Sequence, residues 1–384
     1  MARREVNVGI VGCGLMGREL ASAAARWLHL LDLDFVPRIV AACDLNPAAA
    51  QWFGDNIPTC RLVTDDYRAL LDSDAVEALY VAVPHNLHRE LYCEVIRAGK
   101  HLLGEKPFGI DLPACESIVA AAAEHPDVLV RCSSQFPFCP GPYLISQWMA
   151  EGRFGTVIEV EAGFWHSSDL NPEKAVNWKR TIEVNDEYGC LGDLGLHVCH
   201  IPLRRGWRPR NVRALLSNIM TERPDQAGNV VACETWDNAI LCCEAATPDG
   251  HEFPMLLSTK RIAPGEGNTW FLRVMGTEFS ASFTTKNPKE IRTLAYTPGG
   301  EQAWQCLDLP HKPPYASITE GIFEFGFSDA ILQMFAAFLD ELVHGADGMK
   351  QPFTCATPQE ALASHTLFTA ALRSQREASV ILLE

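Results

Sequence analysis

Val6-Asn7-Val8-Gly9-Ile10-Val11-Gly12-Cys13-Gly14-Leu15-Met16-Gly17 decides the fold. The run alternates, turns wholly apolar and breaks on glycine, and the following Arg18 to Leu31 has the Ala- and Leu-rich composition of a helix. The order is strand, glycine turn, helix. Each glycine has its own reason: Gly12 permits a tight turn, Gly14 lets the backbone approach a pyrophosphate, and Gly17 lets the helix pack closely on its strand. The phosphates are then expected at the helix N-terminus, where unpaired N–H groups point outward, with Leu15 and Met16 beside them.

Working outward, Arg38 to Cys43 reads as a second strand ending in Asp44. An acidic side chain there accepts hydrogen bonds from adenosine ribose hydroxyls and favours NAD over NADP. Asp44-Leu45-Asn46-Pro47 also has the composition of a helix-capping turn, and the two roles are compatible. Gly17 and Asp44 are separated by 26 residues, so Leu30 to Pro37 is expected to lengthen the helix or add a loop. Leu62–Thr64 and Ala78–Val83 are further strands, and a helix from Leu87 to Ala98 ends on Gly99. His101-Leu102-Leu103 then runs straight into Gly104-Glu105-Lys106-Pro107, which places Lys106 at the carboxyl end of a strand, the edge where open parallel sheets bind ligands.

The bulk numbers narrow the function. With 384 residues, 47% of them hydrophobic, the chain exceeds what one core usually serves, so two domains are expected. A formal charge of −16 argues against a nucleic-acid or anionic-membrane surface and for a small-molecule partner. No apolar run approaches the roughly 18 residues of a membrane helix. The stretch after Arg3-Arg4 reads as a first strand rather than a targeting segment. The 14 cysteines form no C-x-x-C pair and several sit in apolar runs, which suggests reduced thiols in a cytoplasmic protein.

Gln135 to Pro142 is proline-rich and marks the expected boundary, giving domains 1–134 and 135–384. Beyond it, a helix is predicted from Tyr143 to Glu151. Alternating runs at 157–164, 212–219, 239–245, 255–259, 270–275 and 279–284 predict an antiparallel sheet, and 329–343 and 358–375 predict helices. Within Gly189 to His200, Asp193 and His197 stand four apart, which on a helix brings them to one face. A neutral imidazole can accept a hydroxyl proton, and a nearby carboxylate favours the imidazolium that forms. His197, Cys199 and His200 lack a distant second ligand pair, so no metal site is expected.

Together, Gly12 to Gly17, Asp44, Pro84-His85-Asn86-Leu87-His88, Glu105-Lys106-Pro107 and Gly192 to His197 resemble the glucose-fructose oxidoreductase, inositol dehydrogenase and rhizopine-catabolism (Gfo/Idh/MocA) family. The likeness spans nearly the whole chain. It implies an α/β protein: an N-terminal Rossmann domain, a C-terminal α+β domain with a large, mostly antiparallel open sheet that often forms oligomer contacts, and an active site between them. It implies that Lys106 polarises the substrate hydroxyl, His197 is the general acid/base and Asp193 fixes substrate and histidine. Pro84, Asn86, His88 and Glu105 would line the dinucleotide, and the peptide before Pro107 resembles one that is often cis. Members such as levoglucosan and other glycoside dehydrogenases share a Trp-Lys/Arg segment, here Trp178-Lys179-Arg180, whose indole could stack on a sugar and whose cations could donate to hydroxyls. Gln135 and His166 are further substrate candidates. An acidic residue common shortly after the family's histidine is missing, since Val198-Cys199-His200 follows here, and Gln135 to Phe138 lacks an arginine common in that region.

The resulting expectation is an NAD-dependent dehydrogenase, with NADP as the less favoured cofactor, acting on a ring hydroxyl of a sugar, glycoside or cyclitol, in a homo-oligomer. Two alternatives share the fold: an enzyme that cleaves glycosides by transient oxidation and returns NAD unchanged, and a cofactor-sensing regulator without catalysis.

Overall fold

The computed structural model describes residues 3–309 and 313–383. They divide into two compact units, each built around its own sheet.

In the first unit, six parallel strands stand in the order β3-β2-β1-β4-β5-β6. They are β1 (Arg4–Val11), β2 (Phe35–Cys43), β3 (Leu62–Thr64), β4 (Ala78–Val81), β5 (His101–Gly104) and β6 (Val130–Cys132). Helices α1 (Leu15–Ala25), α2 (Pro47–Asn56), α3 (Arg68–Leu71), α4 (His88–Arg97) and α5 (Leu112–Glu124) connect them. Strand β4 is buried along its whole length, as a strand covered on both faces must be. The order reverses between β1 and β4, so a crevice opens at their carboxyl ends. The first helix is shorter than its composition suggests. It stops at Ala25, a 3-10 turn covers Trp27–His29, and Phe35 to Pro37, expected in a helix extension or loop, instead lengthen β2 against Arg4 to Val6.

In the second unit, α6 (Pro140–Ala150) leads into β7 (Val157–Trp165), and after α7 (Ile182–Asn185) comes the buried α8 (Cys190–Arg204). The remaining strands are β8 (Arg208–Pro209), β9 (Asn211–Ser217), β10 (Glu222–Pro224), β11 (Val230–Ala232), β12 (Asn238–Ala246), β13 (Glu252–Lys260), β14 (Thr269–Gly276), β15 (Phe279–Thr284), β16 (Glu290–Ala295), β17 (Gln305–Asp308) and β18 (Ile381–Leu382). Except for the small β10–β11 pair, they form a 10-stranded sheet whose main path is β17-β16-β15-β14-β7-β13-β12-β9-β18, with β8 on β12. Its pairings are antiparallel but for β7 with β13. Alternation along β12 and β13 turns Ala239, Leu241, Cys243, Met255 and Leu257 inward, and α8 packs on that inner side. Gly195 makes the approach of α10 (Pro358–Glu377) to α8 feasible, because a Cβ there would lie 2.3 Å from the Phe368 ring.

A single boundary after residue 134 does not describe this division. The first unit takes in residues 113–139 and also 313–361, which return to it from the far end of the chain. The reason is α9 (Phe327–His344), whose residues from Ala330 to Glu341 are buried. Phe335 meets Trp27 edge-on at 5.6 Å, Arg26 pairs with Asp329, Arg131 pairs with Glu341, and the Cys132 N–H donates to the Ala356 carbonyl at 2.8 Å. At the end of the helix the buried Asp340 accepts from the Tyr315 hydroxyl (2.8 Å) and the Lys350 N–H (2.8 Å), and bonds His344 Nδ1 (2.7 Å). Burial lowers the pKa of His344, but Asp340 and Asp34 outweigh it and the net shift is upward.

A histidine with a raised folded-state pKa stabilises below its unfolded value of about 6.5 and loses that contribution as the pH rises through the folded one. Asp340→Asn should therefore cost about 2 kcal/mol in urea unfolding near pH 6 and flatten the decline in stability as the pH rises above about 6.5. Equal slopes in the two proteins would show that the pair is not linked to folding.

Candidate functional site

The crevice of the first unit is a cleft of about 520 Å³ lined by Gly12 and Gly14 from the turn, Asp44 and Leu45 after β2, Tyr67 and Arg68, and Ala82 to Pro84 after β4. The three glycines are not interchangeable. Gly12 has φ +94° and a Cβ on it would fall 2.2 Å from the Ala82 carbonyl oxygen; one on Gly17 would fall 2.2 Å from the Gly12 carbonyl oxygen. A Cβ on Gly14 would meet no atom within 4 Å. Gly12 and Gly17 are thus required by the fold itself, whereas Gly14 faces open space. Gly14 is the N-cap of α1, with no side chain capping the helix and no acidic residue in its first turn. The N-terminal amides past Gly14, at the exposed Leu15 and the half-buried Met16, are therefore presented to an anion.

Asp44 does two structural jobs at the same rim. Its Oδ2 accepts from the Cys13 N–H at 2.7 Å, tying the end of β2 to the glycine turn, and its Oδ1 accepts from the Asn46 N–H at 2.8 Å. Asn46 is the true N-cap of α2, accepting from the Ala48 N–H. The carboxylate lines the cleft with lone pairs left for hydroxyl donors, so its turn role does not exhaust its capacity to accept. Burial, reinforced by Asp44, pushes the Cys13 and Cys43 thiols up to about 12, which leaves both as neutral packing groups. These features fit a dinucleotide: amides and an open glycine for the pyrophosphate, a carboxylate for the ribose, and Leu45, Leu87 and Tyr67 as apolar walls.

Behind the cleft, the Gly104-Glu105-Lys106-Pro107 turn is braced from within. A Cβ on Gly104 would strike the Tyr92 ring at 2.6 Å, and the Tyr92 hydroxyl donates to the Glu105 carbonyl at 2.8 Å. The Glu105 carboxylate is buried and accepts from the Tyr80 hydroxyl at 2.6 Å. His88, fully buried, stacks on Tyr92 and places its ring nitrogens 2.7 and 2.9 Å from the carbonyls of Pro107 and Val83. Glu105 and His88 accordingly sit behind the cleft wall and brace its backbone, while Pro84 and Asn86 are exposed beside it. The Lys106–Pro107 peptide is cis, and Lys106 is half-buried. Gln135 is buried just past β6.

In the second unit, Asp193 and His197 occupy successive turns of α8 and both are buried. Gly189 begins this helix at φ +53°, pressed so closely on Trp236 that a Cβ would lie 2.4 Å from its carbonyl oxygen. The His197 ring meets Phe164 edge-on at 5.5 Å, and its carbonyl accepts from the Trp270 indole N–H at 2.9 Å. The Asp193 carboxylate accepts from Lys179 Nζ at 2.7 Å and from Arg261. Lys179 Nζ also lies 5.4 Å from the ring centre of Trp178, whose indole is exposed. His166 is half-exposed and its Nδ1 bonds the Gly267 carbonyl at 3.0 Å. Arg180 corrects an expectation. Its side chain is fully buried, bonded to Asn218 Oδ1 (2.8 Å) and the Met220 carbonyl (2.9 Å) with Asp237 at 3.5 Å, so it holds the fold where a ligand hydroxyl was expected. Neighbours on a 3-10 turn diverge around its axis, which sends Lys179 and Arg180 to different partners.

The sequence reading missed Tyr67 and Arg68 in the cleft and Arg261 beside Asp193. Tyr67 and Arg68 follow β3 at the same sheet edge as Gly12 and Asp44, a signal that chain order did contain. Nothing local to Arg261 marks it.

Residues 6–132 match a family model described as an oxidoreductase family with an NAD-binding Rossmann fold. The first unit is therefore an NAD-binding domain. Among curated proteins the chain is 24% identical over 303 residues to levoglucosan dehydrogenase of Pseudarthrobacter phenanthrenivorans, covering 75% of this chain and 76% of that one. It is 25% identical over 181 residues to inositol 2-dehydrogenase of Serratia proteamaculans, covering 47% and 50%. The fold matches levoglucosan dehydrogenase solved in complex with NADH and L-sorbose, at a TM-score of 0.86, 19% identity and 99% coverage of both chains. It also matches an oxidoreductase domain protein from Kribbella flavida, at 0.88, 20% and 100% of both. The match to the Gfo/Idh/MocA oxidoreductase family model is thus carried by residues 6–132, the part of the chain that forms the parallel sheet.

The glycine geometry yields a separable pair of outcomes. Gly14→Val should leave thermal stability within about 0.5 kcal/mol of the parent yet weaken NAD binding at least tenfold by titration calorimetry, because its side chain fills only the cleft. Gly17→Val should destabilise by about 2 kcal/mol or more through the clash with the Gly12 carbonyl.

Proposed function

We propose that this oxidoreductase oxidises a secondary ring hydroxyl of a sugar, glycoside or cyclitol with NAD, or reduces the matching ketone. The observation carrying the reading is the buried pair on α8: an imidazole at His197 one turn from the Asp193 carboxylate, beside the exposed face of Trp178. Ring alcohols are what the names of the relatives, levoglucosan dehydrogenase and inositol 2-dehydrogenase, describe.

When bound, NAD supplies the nicotinamide that exchanges hydride with carbon. The chain's own residues supply the rest. An alcohol losing hydride must also lose its hydroxyl proton, so we assign His197 as the base that accepts it and Lys106 as the donor that stabilises charge on the oxygen. Asp193, paired with Lys179, accepts from substrate hydroxyls, and Trp178 offers an apolar face to a ring. His166 and Gln135 stay as lower-ranked substrate contacts. We assign NAD rather than NADP because Asp44 and Asp65 both line the cleft, and two carboxylates there oppose a 2′-phosphate. Arg68, the cation nearest by sequence, already pairs with Glu94 at 3.1 Å.

We also assign a homo-oligomer formed through the outer face of the large sheet, in a cytoplasmic setting that keeps the buried thiols reduced. Leu215 and Ile240 are exposed on that face, and its strand register aligns Glu161, Arg273, Ser282 and Arg292 in one row. The row runs on from Glu161 through Leu256 and Cys242 to Arg213, so a carboxylate stands between guanidinium groups on an open face that a second copy could cover.

A panel of mono- and disaccharides and cyclitols assayed with NAD at 340 nm should identify a substrate. Lys106→Ala and His197→Ala should each lower kcat at least 100-fold with NAD affinity unchanged. Product release without net NADH would point instead to the NAD-recycling reaction, and no turnover of any panel member would favour a regulator. Separately, Asp44→Ala should weaken NAD about tenfold or more and narrow the preference over NADP; unchanged NAD affinity would remove the ribose assignment.

A further inference from the structure

Arg261 lies one residue beyond β13 and its side chain is buried. Its Nε donates to Asp169 Oδ2 at 2.9 Å and its other arm donates to Asp193 Oδ2. The Asp169 N–H in turn donates to the Arg261 carbonyl at 3.0 Å, so the two residues are joined through both backbone and side chain. Asp169 is fully buried, with Lys174 Nζ 3.1 Å from its second oxygen. Arg223, also buried, donates to the carbonyls of Asp169, Asn171 (2.7 Å) and Lys174 (3.1 Å), fixing the loop that carries Asp169. The charges form one alternating chain, Lys174, Asp169, Arg261, Asp193 and Lys179, whose members are within ion-pair distance of their neighbours.

An arginine suits the centre of this chain for a geometric reason. Its planar guanidinium can address two carboxylates at once from a fixed fork, which a single ammonium cannot do with the same orientation. Asp193 also lies in the first turn of a 15-residue helix, where the helix dipole favours an anion. Of the two cations on Asp193, Arg261 is sealed in, while Lys179 is a flexible chain with 27% of its side chain exposed.

We propose that Arg261, braced by Asp169, is a positioning residue that holds Asp193 as an oriented anion, leaving the Lys179 ammonium as the exchangeable partner at the ligand-facing oxygen. The proposal rests on the reading of Asp193 as a site residue. It assigns the proton to His197 alone, because an Asp193 carboxylate flanked by two cations is a poor proton acceptor. Among the described residues, the charged groups shown against Asp193 include Lys179 from the 3-10 turn and Arg261 after β13, with Asp169 and Lys174 behind it, and His197 lies one turn along the same helix.

The test begins without substrate. In protein carrying 13C-labelled aspartate carboxyls, with the Asp193 signal assigned through Asp193→Asn, the wild-type signal should remain that of a carboxylate to below pH 4. In Arg261→Gln its midpoint should rise by about one pH unit or more, with a smaller rise in Asp169→Asn and partial return in Arg261→Lys. With an identified substrate, Arg261→Gln should lower kcat at least tenfold and leave the KM for NAD unchanged, and Arg261→Lys should recover part of the loss. An Asp193 midpoint that stays put in both Arg261→Gln and Asp169→Asn overturns the proposal, as does a wild-type kcat in Arg261→Gln. Should Arg261→Gln fail to fold, Arg261→Lys and Asp169→Asn carry the same comparison. If the midpoint moves but no sugar reduces NAD, the positioning role stands and the dehydrogenase reading falls.

Discussion

The first unit depends on how closely its first helix approaches its first strands. Gly12 and Gly17 each exclude a side chain, because a Cβ would lie 2.2 Å from the Ala82 carbonyl oxygen in the one case and 2.2 Å from the Gly12 carbonyl oxygen in the other. These contacts draw β1, α1 and the end of β4 together, and they set the crevice exactly where the sheet order reverses. Asp44 then fastens the end of β2 to the same turn through the Cys13 N–H. The binding surface for a dinucleotide is thus a by-product of packing: the features that let α1 lie flat on the sheet also leave its N-terminal amides open, with only Gly14 free of steric obligation to the fold.

The second unit solves a different problem, that of burying charge. Removing ions from water costs several kcal/mol each unless partners replace the lost hydration. Around Asp193 the replacement is an alternating series, so each carboxylate oxygen described there meets a cation. Burial by itself would raise the pKa of Asp169, yet Arg261 and Lys174 outweigh it and hold the group below the usual carboxylate range. Burial likewise works against the charge on Arg261, and Asp193 and Asp169 reverse the balance, raising its pKa. Such a series is weak evidence for added stability, because an apolar replacement can be as stable. The series is better read as fixing the orientation of the Asp193 carboxylate, which Arg261 and Lys179 hold from two sides.

The glycine turn, Asp44 and the braced Gly-Glu-Lys-Pro segment were legible because their causes are local, each residue answering to backbone within a few positions or at the end of an adjacent strand. The antiparallel strands of the second unit were legible from alternation, although the parallel pairing of β7 with β13 was not. Chain order also hid the return of α9 to the first unit, since an amphipathic helix advertises an apolar face without naming the surface that covers it. Arg261 and Asp193 are 68 residues apart, and Arg261 and Asp169 are 92 apart. No periodicity connects such positions, and only the folded sheet brings them together.

Lys179 and Arg180 sharpen that distinction. Read as a dipeptide, they are two equivalent cations beside an aromatic ring, and composition offers no reason to separate them. The 3-10 turn sends Arg180 inward to Asn218, Met220 and Asp237, while Lys179 reaches the Asp193 carboxylate next to the exposed indole. The buried member suits a guanidinium, which is weakly hydrated and here meets Asn218, the Met220 carbonyl and Asp237 through Nη2, while Nε and Nη1 are buried without a hydrogen-bond partner among the described residues. The half-buried member suits an ammonium on a flexible stem, with 27% of its side chain exposed. Residue type and position therefore agree: the planar, weakly hydrated cation is packed into the architecture, and the flexible point charge stands at Asp193 Oδ1.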